Sequence, residues 1–164
     1  MSRLRKAALG AAPRALGVLV LLAFALLAPC VSAAANCPWV TPGSAVNWLG
    51  GPVSAVVRVS ESGEGSCTFT RQAGAKSILK IVVSKAALES CPAHSAKPQG
   101  IGNEAALCKL QPSPNEAVEL LVSRVREFHF TVSLSMPRDE SPGGITHAED
   151  AVKQIAEQVA GNLF

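Results

Sequence analysis

The chain has 164 residues, 48% of them hydrophobic, 4% aromatic with no tyrosine and 16% charged, with 15 Lys and Arg against 12 Asp and Glu. That length accommodates one ordinary domain with a targeting segment rather than two full-sized domains. A formal charge of +3 with so few aromatic rings argues against a nucleic-acid partner read by base stacking and against an acidic disordered tail.

The first 33 residues differ in kind from the rest. Arg3, Arg5, Lys6 and Arg14 precede the apolar stretch from Ala15 to Ala28, which is followed by Pro29, Cys30 and the small residues Val31 to Ala35. A basic start, an apolar run of about 14 residues and a small-residue end make a secretory signal peptide, with cleavage expected after Ala33 or Ala35. The run falls short of the roughly 20 residues a helix needs to cross a bilayer, so no stable membrane span is expected after cleavage. The alternatives are an uncleaved anchor and a lipid anchor through Cys30, although Pro29 stands in the Leu27-Ala28-Pro29-Cys30 lipobox where a small flexible residue belongs. The expected organisation is a signal peptide over 1–33 and a single secreted domain over 34–164. Removing the segment takes four basic residues and no acidic one, leaving 11 against 12, so the working domain is close to neutral.

Cleavage leaves Cys37, Cys67, Cys91 and Cys108, an even set in an exported chain, which predicts disulfides. Of the three possible pairings, Cys37–Cys67 with Cys91–Cys108 is preferred because it closes two short, separate loops, each worth about 3 to 4 kcal/mol in the loop-entropy description. The rival is zinc on Cys91, His94 and Cys108, but a single Cys-x2-His without a matched second pair is weak, and neither metal nor cofactor is expected.

In chain order, Thr41-Pro42 followed by Ser44 to Leu49 and the Gly50-Gly51 stop predicts a short helix. Three period-two runs follow: Val53 to Ser60, Cys67 to Thr70 and Leu79 to Ser84, with glycine-bearing links that make an antiparallel meander. The stretch from Lys85 to Pro114 is broken by prolines and glycines and is expected to be irregular, tied by Cys91–Cys108. Ala117 to Val125 and Glu127 to Met136 predict a hairpin whose second strand turns Phe128, Phe130, Val132, Leu134 and Met136 to the core. A last helix is expected with Thr146 as its cap, Glu149 completing a capping box, and Ala148, Val152, Ile155, Val159 and Leu163 as its apolar stripe. The whole is an α+β domain: an antiparallel β-sheet packed by an N-terminal short helix and a C-terminal amphipathic helix, on one face or a face each, with two disulfides.

Several of these segments together resemble small exported bacterial domains of unknown function, often lipoproteins, and the extracellular sensor domains of some bacterial Ser/Thr kinases. They are Trp48 to Gly51 (WLGG), Ser66 to Thr70 (SCTFT), Gly100 to Ala105 (GIGNEA), the Arg124 strand followed by Phe128 to Val132 (FHFTV), and the Ala-rich final helix. The resemblance implies an α+β fold with disulfides and no known catalysis.

Chemistry is harder to find. There is no nucleophile elbow, and His94, His129 and His147 have no metal-site spacing. Glu116 with Glu119, Asp139-Glu140 and Glu149-Asp150 each have a structural explanation, so no carboxylate pair for hydrolysis stands out. Trp39 and Trp48 lie near the first helix, and Trp48 is expected to pack on the core. The Gly100-Ile101-Gly102-Asn103-Glu104 turn has the look of a phosphate cradle but lacks a surrounding P-loop, so it reads as a tight turn with Gly102 or Asn103 at positive φ. The candidate ligand-binding residues are Arg58, Lys80, Arg124, His129, Thr131 and Ser133, which can share the polar face of the sheet and present a modest anion-attracting surface, with the Cys91–Cys108 loop as a rim. The expected function is therefore a secreted or periplasmic, non-catalytic binding or sensor-like module of the bacterial envelope, with an unidentified small ligand or envelope partner. The alternatives are a small secreted hydrolase or a structural envelope protein.

Overall fold

The computed structural model describes residues 36–88, 91–92, 96–108, 110, 114–138 and 145–164, with side chains of the last segment from 147 onward. The predicted signal peptide with Cys30, His94 and the Asp139-Glu140 pair lie outside the described residues. Ala34–Phe164 forms one compact unit.

The first helix, α1 (Pro42–Leu49), begins where Thr41 Oγ1 accepts the Ser44 N–H at 3.1 Å and Pro42 fills the first turn, in which its missing donor costs nothing. It ends at Gly50, whose φ of 70° turns the chain so that the Gly51 N–H reaches the Val46 carbonyl at 3.1 Å. Six strands follow: β1 (Val53–Val59), β2 (Gly65–Arg71), β3 (Ile78–Ser84), β4 (Glu104–Cys108), β5 (Glu116–Val125) and β6 (Phe128–Pro137), and the chain closes with α2 (Ile145–Leu163). They form one antiparallel sheet in the order β1-β2-β3-β6-β5-β4, so the early meander and the later hairpin meet where β3 pairs with β6.

Register sorts the strands into two unlike faces. Ile81, Val132 and Leu121 lie abreast across β3, β6 and β5, as do Leu79 and Leu134, and Val83 and Phe130, and all are buried. Both helices pack on this face, α1 over β1 to β3 and α2 over β5 and β6, so the layer arrangement is one-sided. Ala45 and Leu49 of α1, and Ala148, Val152, Ile155, Ala156, Val159 and Ala160 of α2, complete a single core. The end of α2 is tied to the segment that precedes α1 by the Asn162 Nδ2–H, which donates to the Trp39 carbonyl at 2.8 Å. Trp39 is only 3% exposed, whereas Trp48 is partly buried at the core margin, so the deeper ring is the one the periodicity did not single out. On the opposite face, among the described strand residues, only Cys108 at the β4 edge is buried; Val56 is 57% exposed.

The fold is thus α+β with two disulfides. Cys37 and Cys67 join the N-terminal segment to the centre of β2 with Cα atoms 5.9 Å apart, and Cys91 and Cys108 join the 85–103 connection to β4 with Cα atoms 5.0 Å apart. Two local expectations change. The supposedly irregular middle contains β4, a five-residue edge strand (EAALC) with no β-branched residue; pairing with β5 and the disulfide hold it where propensity does not. The backbone of α2 already includes Ile145, which places Thr146 inside the first turn rather than at the cap, and the Glu149 carboxylate accepts from Lys153 Nζ at 2.7 Å.

Candidate functional site

Side chains alternate across a strand, so the residues between the core positions of β1, β3, β5 and β6 must share the helix-free face. Arg58, Lys80, Arg124, His129, Thr131 and Ser133 all do. Lys80 is directly opposite Ser133, Arg124 is directly opposite His129, and Thr131 lies between Val82 and Val122. Arg58 is on β1, three strands from β6, or about 14 Å at ordinary strand spacing. The six therefore occupy one surface without converging on one point.

Convergence occurs at the end of the sheet where β5 turns into β6. Here the 97–103 segment folds back against the strands and leaves a cleft of about 620 Å³, bounded by this segment and Cys91 on one side and by the ends of β4, β5 and β6 on the other. Arg124 and His129 line it; Arg58, Lys80, Thr131 and Ser133 do not.

The segment is held by three independent devices. Ile101 enters the core, and the buried Ser123 Oγ–H donates to its carbonyl at 3.0 Å. The Asn103 N–H donates to the Arg124 carbonyl at 2.7 Å while Asn103 Oδ1 accepts the Arg126 N–H at 2.9 Å, so one side chain ties the segment to the β5–β6 turn. Upstream, Ala96 pairs with Leu107 through N–H to O contacts of 3.1 and 2.8 Å, and Cys91 is bonded to Cys108. The covalent tie and the hydrogen bonds thus hold opposite ends of the same wall.

Charge in the cleft is mixed but uneven. Arg124 Nη2 donates to Glu104 Oε1 at 2.7 Å, a pair set by the direct Glu104 and Arg124 register of β4 and β5. Lys97 is a second lining cation, and Glu104 is the only carboxylate among the described lining residues. Gly100 and Gly102 have φ of 84° and 63°, so the turn takes its left-handed residues at the two glycines and not at Asn103. Among the described residues, the N–H groups of Gln99, Gly100, Ile101 and Gly102 donate to no acceptor.

No protein-family model, curated protein or solved structure matches this chain. The cleft's chemistry therefore has to be read from its own residues. Of these, Arg124, His129 and the rim at Cys91 were legible in the sequence. Lys97 was not: a lone lysine in a proline-rich stretch carries no signal until Ile101 is seen to anchor the wall. Asn103 and Glu104 were visible only as parts of a turn, and Gln99 carried no signal of its own. Among the described residues no group of three or more His, Cys, Asp or Glu side chains is arranged to hold a metal ion, and no helix is long and apolar enough to cross a membrane.

Proposed function

We propose that residues 34–164 form an exported, non-catalytic binding or sensor-like module that holds a small ligand in the cleft between the 97–103 segment and β4, β5 and β6. The observation that carries this is the cleft itself. Its volume of about 620 Å³ falls among small-molecule sites, which run from about 300 to 1,000 Å³. It gathers a few polar side chains against a wall that is covalently fixed through Cys91–Cys108, and a preformed wall lowers the ordering cost of binding. Export to the periplasm or the cell exterior is supported by the basic, apolar and small-residue succession of the first 33 residues and by cysteines paired as an oxidising compartment allows. The resemblance to small exported bacterial domains points the same way.

Mass spectrometry of the protein recovered from its native envelope or medium, under non-denaturing and then denaturing conditions, tests this reading. The expected result is a chain beginning after Ala33 or Ala35, with no free thiol and a bound small molecule that is lost on denaturation. A chain retaining its first 33 residues with four free thiols, or a processed chain with no small molecule at any step, overturns it; a diacylated Cys30 would replace release with lipid anchoring.

A further inference from the structure

We infer that the cleft takes an anion, a carboxylate or phosphate group on a small molecule, held between Lys97, Arg124 and His129 and the backbone of the Gly100–Gly102 turn. This deepens the binding function proposed above and rests on the cleft being a ligand site.

The charges come first. Among the described residues, the lining contributes the cations of Lys97 and Arg124 against the carboxylate of Glu104, and that carboxylate is already engaged by Arg124 Nη2 at 2.7 Å. Its neutralisation leaves the Lys97 ammonium without a counter-charge among the described lining residues. A cationic ligand would have to detach Glu104 from Arg124 to find a counter-charge. An anionic ligand can meet Lys97 and the remaining guanidinium donors with that pair intact, because a guanidinium offers five N–H groups in a fixed fork.

The backbone contributes the second, independent observation. Gln99, Gly100, Ile101 and Gly102 all line the cleft, and none of their N–H groups donates to an acceptor among the described residues. Successive N–H groups in a turn with left-handed residues form a concavity that suits an oxyanion. Gly100 has open space where a Cβ would be, so this part of the wall is accessible. Opposite it, His129 and Arg124 are fixed by direct register across β6 and β5. Lys97 is exposed and half-buried Arg124 lies against the strand ends, so the anion meets a solvent-facing cation on one side and a positioned one on the other.

The test is an amide and imidazole NMR titration of the oxidised 34–164 protein with inorganic phosphate and with acetate. Ethanolamine and glycerol serve as cationic and neutral controls, all at matched ionic strength in chloride. The expected result is saturable movement of the Gln99, Gly100, Ile101 and Gly102 amides and of the His129 ring with phosphate, acetate or both; which anion saturates identifies the preferred group. Lys97→Gln, a change at an exposed side chain, should weaken that binding about tenfold or more, the loss expected for a charge-assisted hydrogen bond. Arg124→Lys should weaken it too, since the charge remains but the fork is lost. Unsaturable shifts equal to those in chloride, or an unchanged midpoint in Lys97→Gln, overturn the anion assignment. If ethanolamine or glycerol saturates the same resonances instead, the cleft remains a ligand site and only the anion assignment falls.

Discussion

Gly102 and Arg124 approach so closely that a Cβ on the glycine would lie 2.5 Å from the Arg124 carbonyl oxygen. The same carbonyl accepts the N–H of the next residue, Asn103, at 2.7 Å. The cleft wall therefore docks on β5 only because residue 102 has no side chain and takes a φ of 63°. Gly102→Ala should cost at least about 2 kcal/mol from left-handed strain and the backbone clash. Urea unfolding will give the loss, and the Asn103 amide should lose its protection from hydrogen exchange before the core amides do.

The two disulfides should differ in accessibility. Cys37 and Cys67 are both buried in the core, whereas Cys91 is only half-buried beside the cleft and its Sγ lies 3.5 Å from the Ala106 carbonyl oxygen. A thiolate can approach the second bridge without unfolding the sheet. Titration with a dithiol followed by alkylation should label Cys91 and Cys108 first, with the fold retained. Opening this bridge by Cys91→Ser with Cys108→Ser should cost about 3 kcal/mol in the loop-entropy description. It should also loosen the cleft wall, measurable as faster amide exchange over 96–103.

Glu119 lies on the inner face of β5, directly opposite Leu134, and its carboxyl is pushed above the usual range by desolvation first and by the nearby Glu149 second. A carboxyl whose folded value is raised binds more protons in the folded state, so stability rises as pH falls through that value and is lower above it. Glu119→Gln should stabilise the protein at pH 7, by about 0.5 kcal/mol once solvent screening of this part-exposed group is allowed for. The gain should vanish in moderately acidic buffer, which chemical unfolding at a series of pH values will measure.

Glu64 behaves oppositely. Its carboxylate accepts the Lys85 N–H at 2.7 Å, together with the Ser62 and Ser84 hydroxyls at 3.0 and 3.3 Å, and these contacts, led by the Lys85 backbone bond, hold its pKa below the usual range. A lowered folded value means that the stabilisation is present above the unfolded pKa and is lost as pH falls through the folded one. Glu64→Gln should therefore destabilise the protein at neutral pH and reduce its acid sensitivity, as read from thermal unfolding at pH 7 and pH 3. Because Glu64 joins the β1–β2 turn to the exit of β3, exchange at Lys85 should rise in the variant.

The helix-free face predicts an asymmetry between residues of similar hydrophobicity. Phe130, fully buried among the inner residues, should cost about 3 to 5 kcal/mol when changed to Ala. Val56, pointing the other way from β1, should tolerate Thr within about 0.5 kcal/mol. Comparable losses at both positions in urea unfolding would contradict the one-sided packing.

Local chemistry made most of the fold legible. Period-two runs marked β1, β2, β3 and β6, the expected hairpin marked β5, the Thr41-Pro42 start and Gly50 stop marked α1, and the Ala148 to Leu163 stripe marked α2. The short loops between cysteines also anticipated both bridges. By contrast, β4 was invisible because Ala105, Ala106 and Leu107 have little intrinsic strand preference; their conformation comes from β5 and Cys108. The polar face was predictable from alternation alone, since Arg58, Lys80, Arg124, His129, Thr131 and Ser133 all fall opposite core positions.

Length, composition and the order of patterned segments were enough to specify an α+β domain of one core and two bridges, because burial demands a period that each segment displays on its own. Which face both helices would cover, and that β3 would pair with β6, depended on how those segments satisfy one another's apolar surfaces. The cleft belongs to this second kind of information. Lys97, Gly100 and Gly102 line one cleft with Arg124 and His129 only after Ile101 enters the core and β4 takes its place on β5, contacts between residues 12 to 22 positions apart that no local pattern encodes.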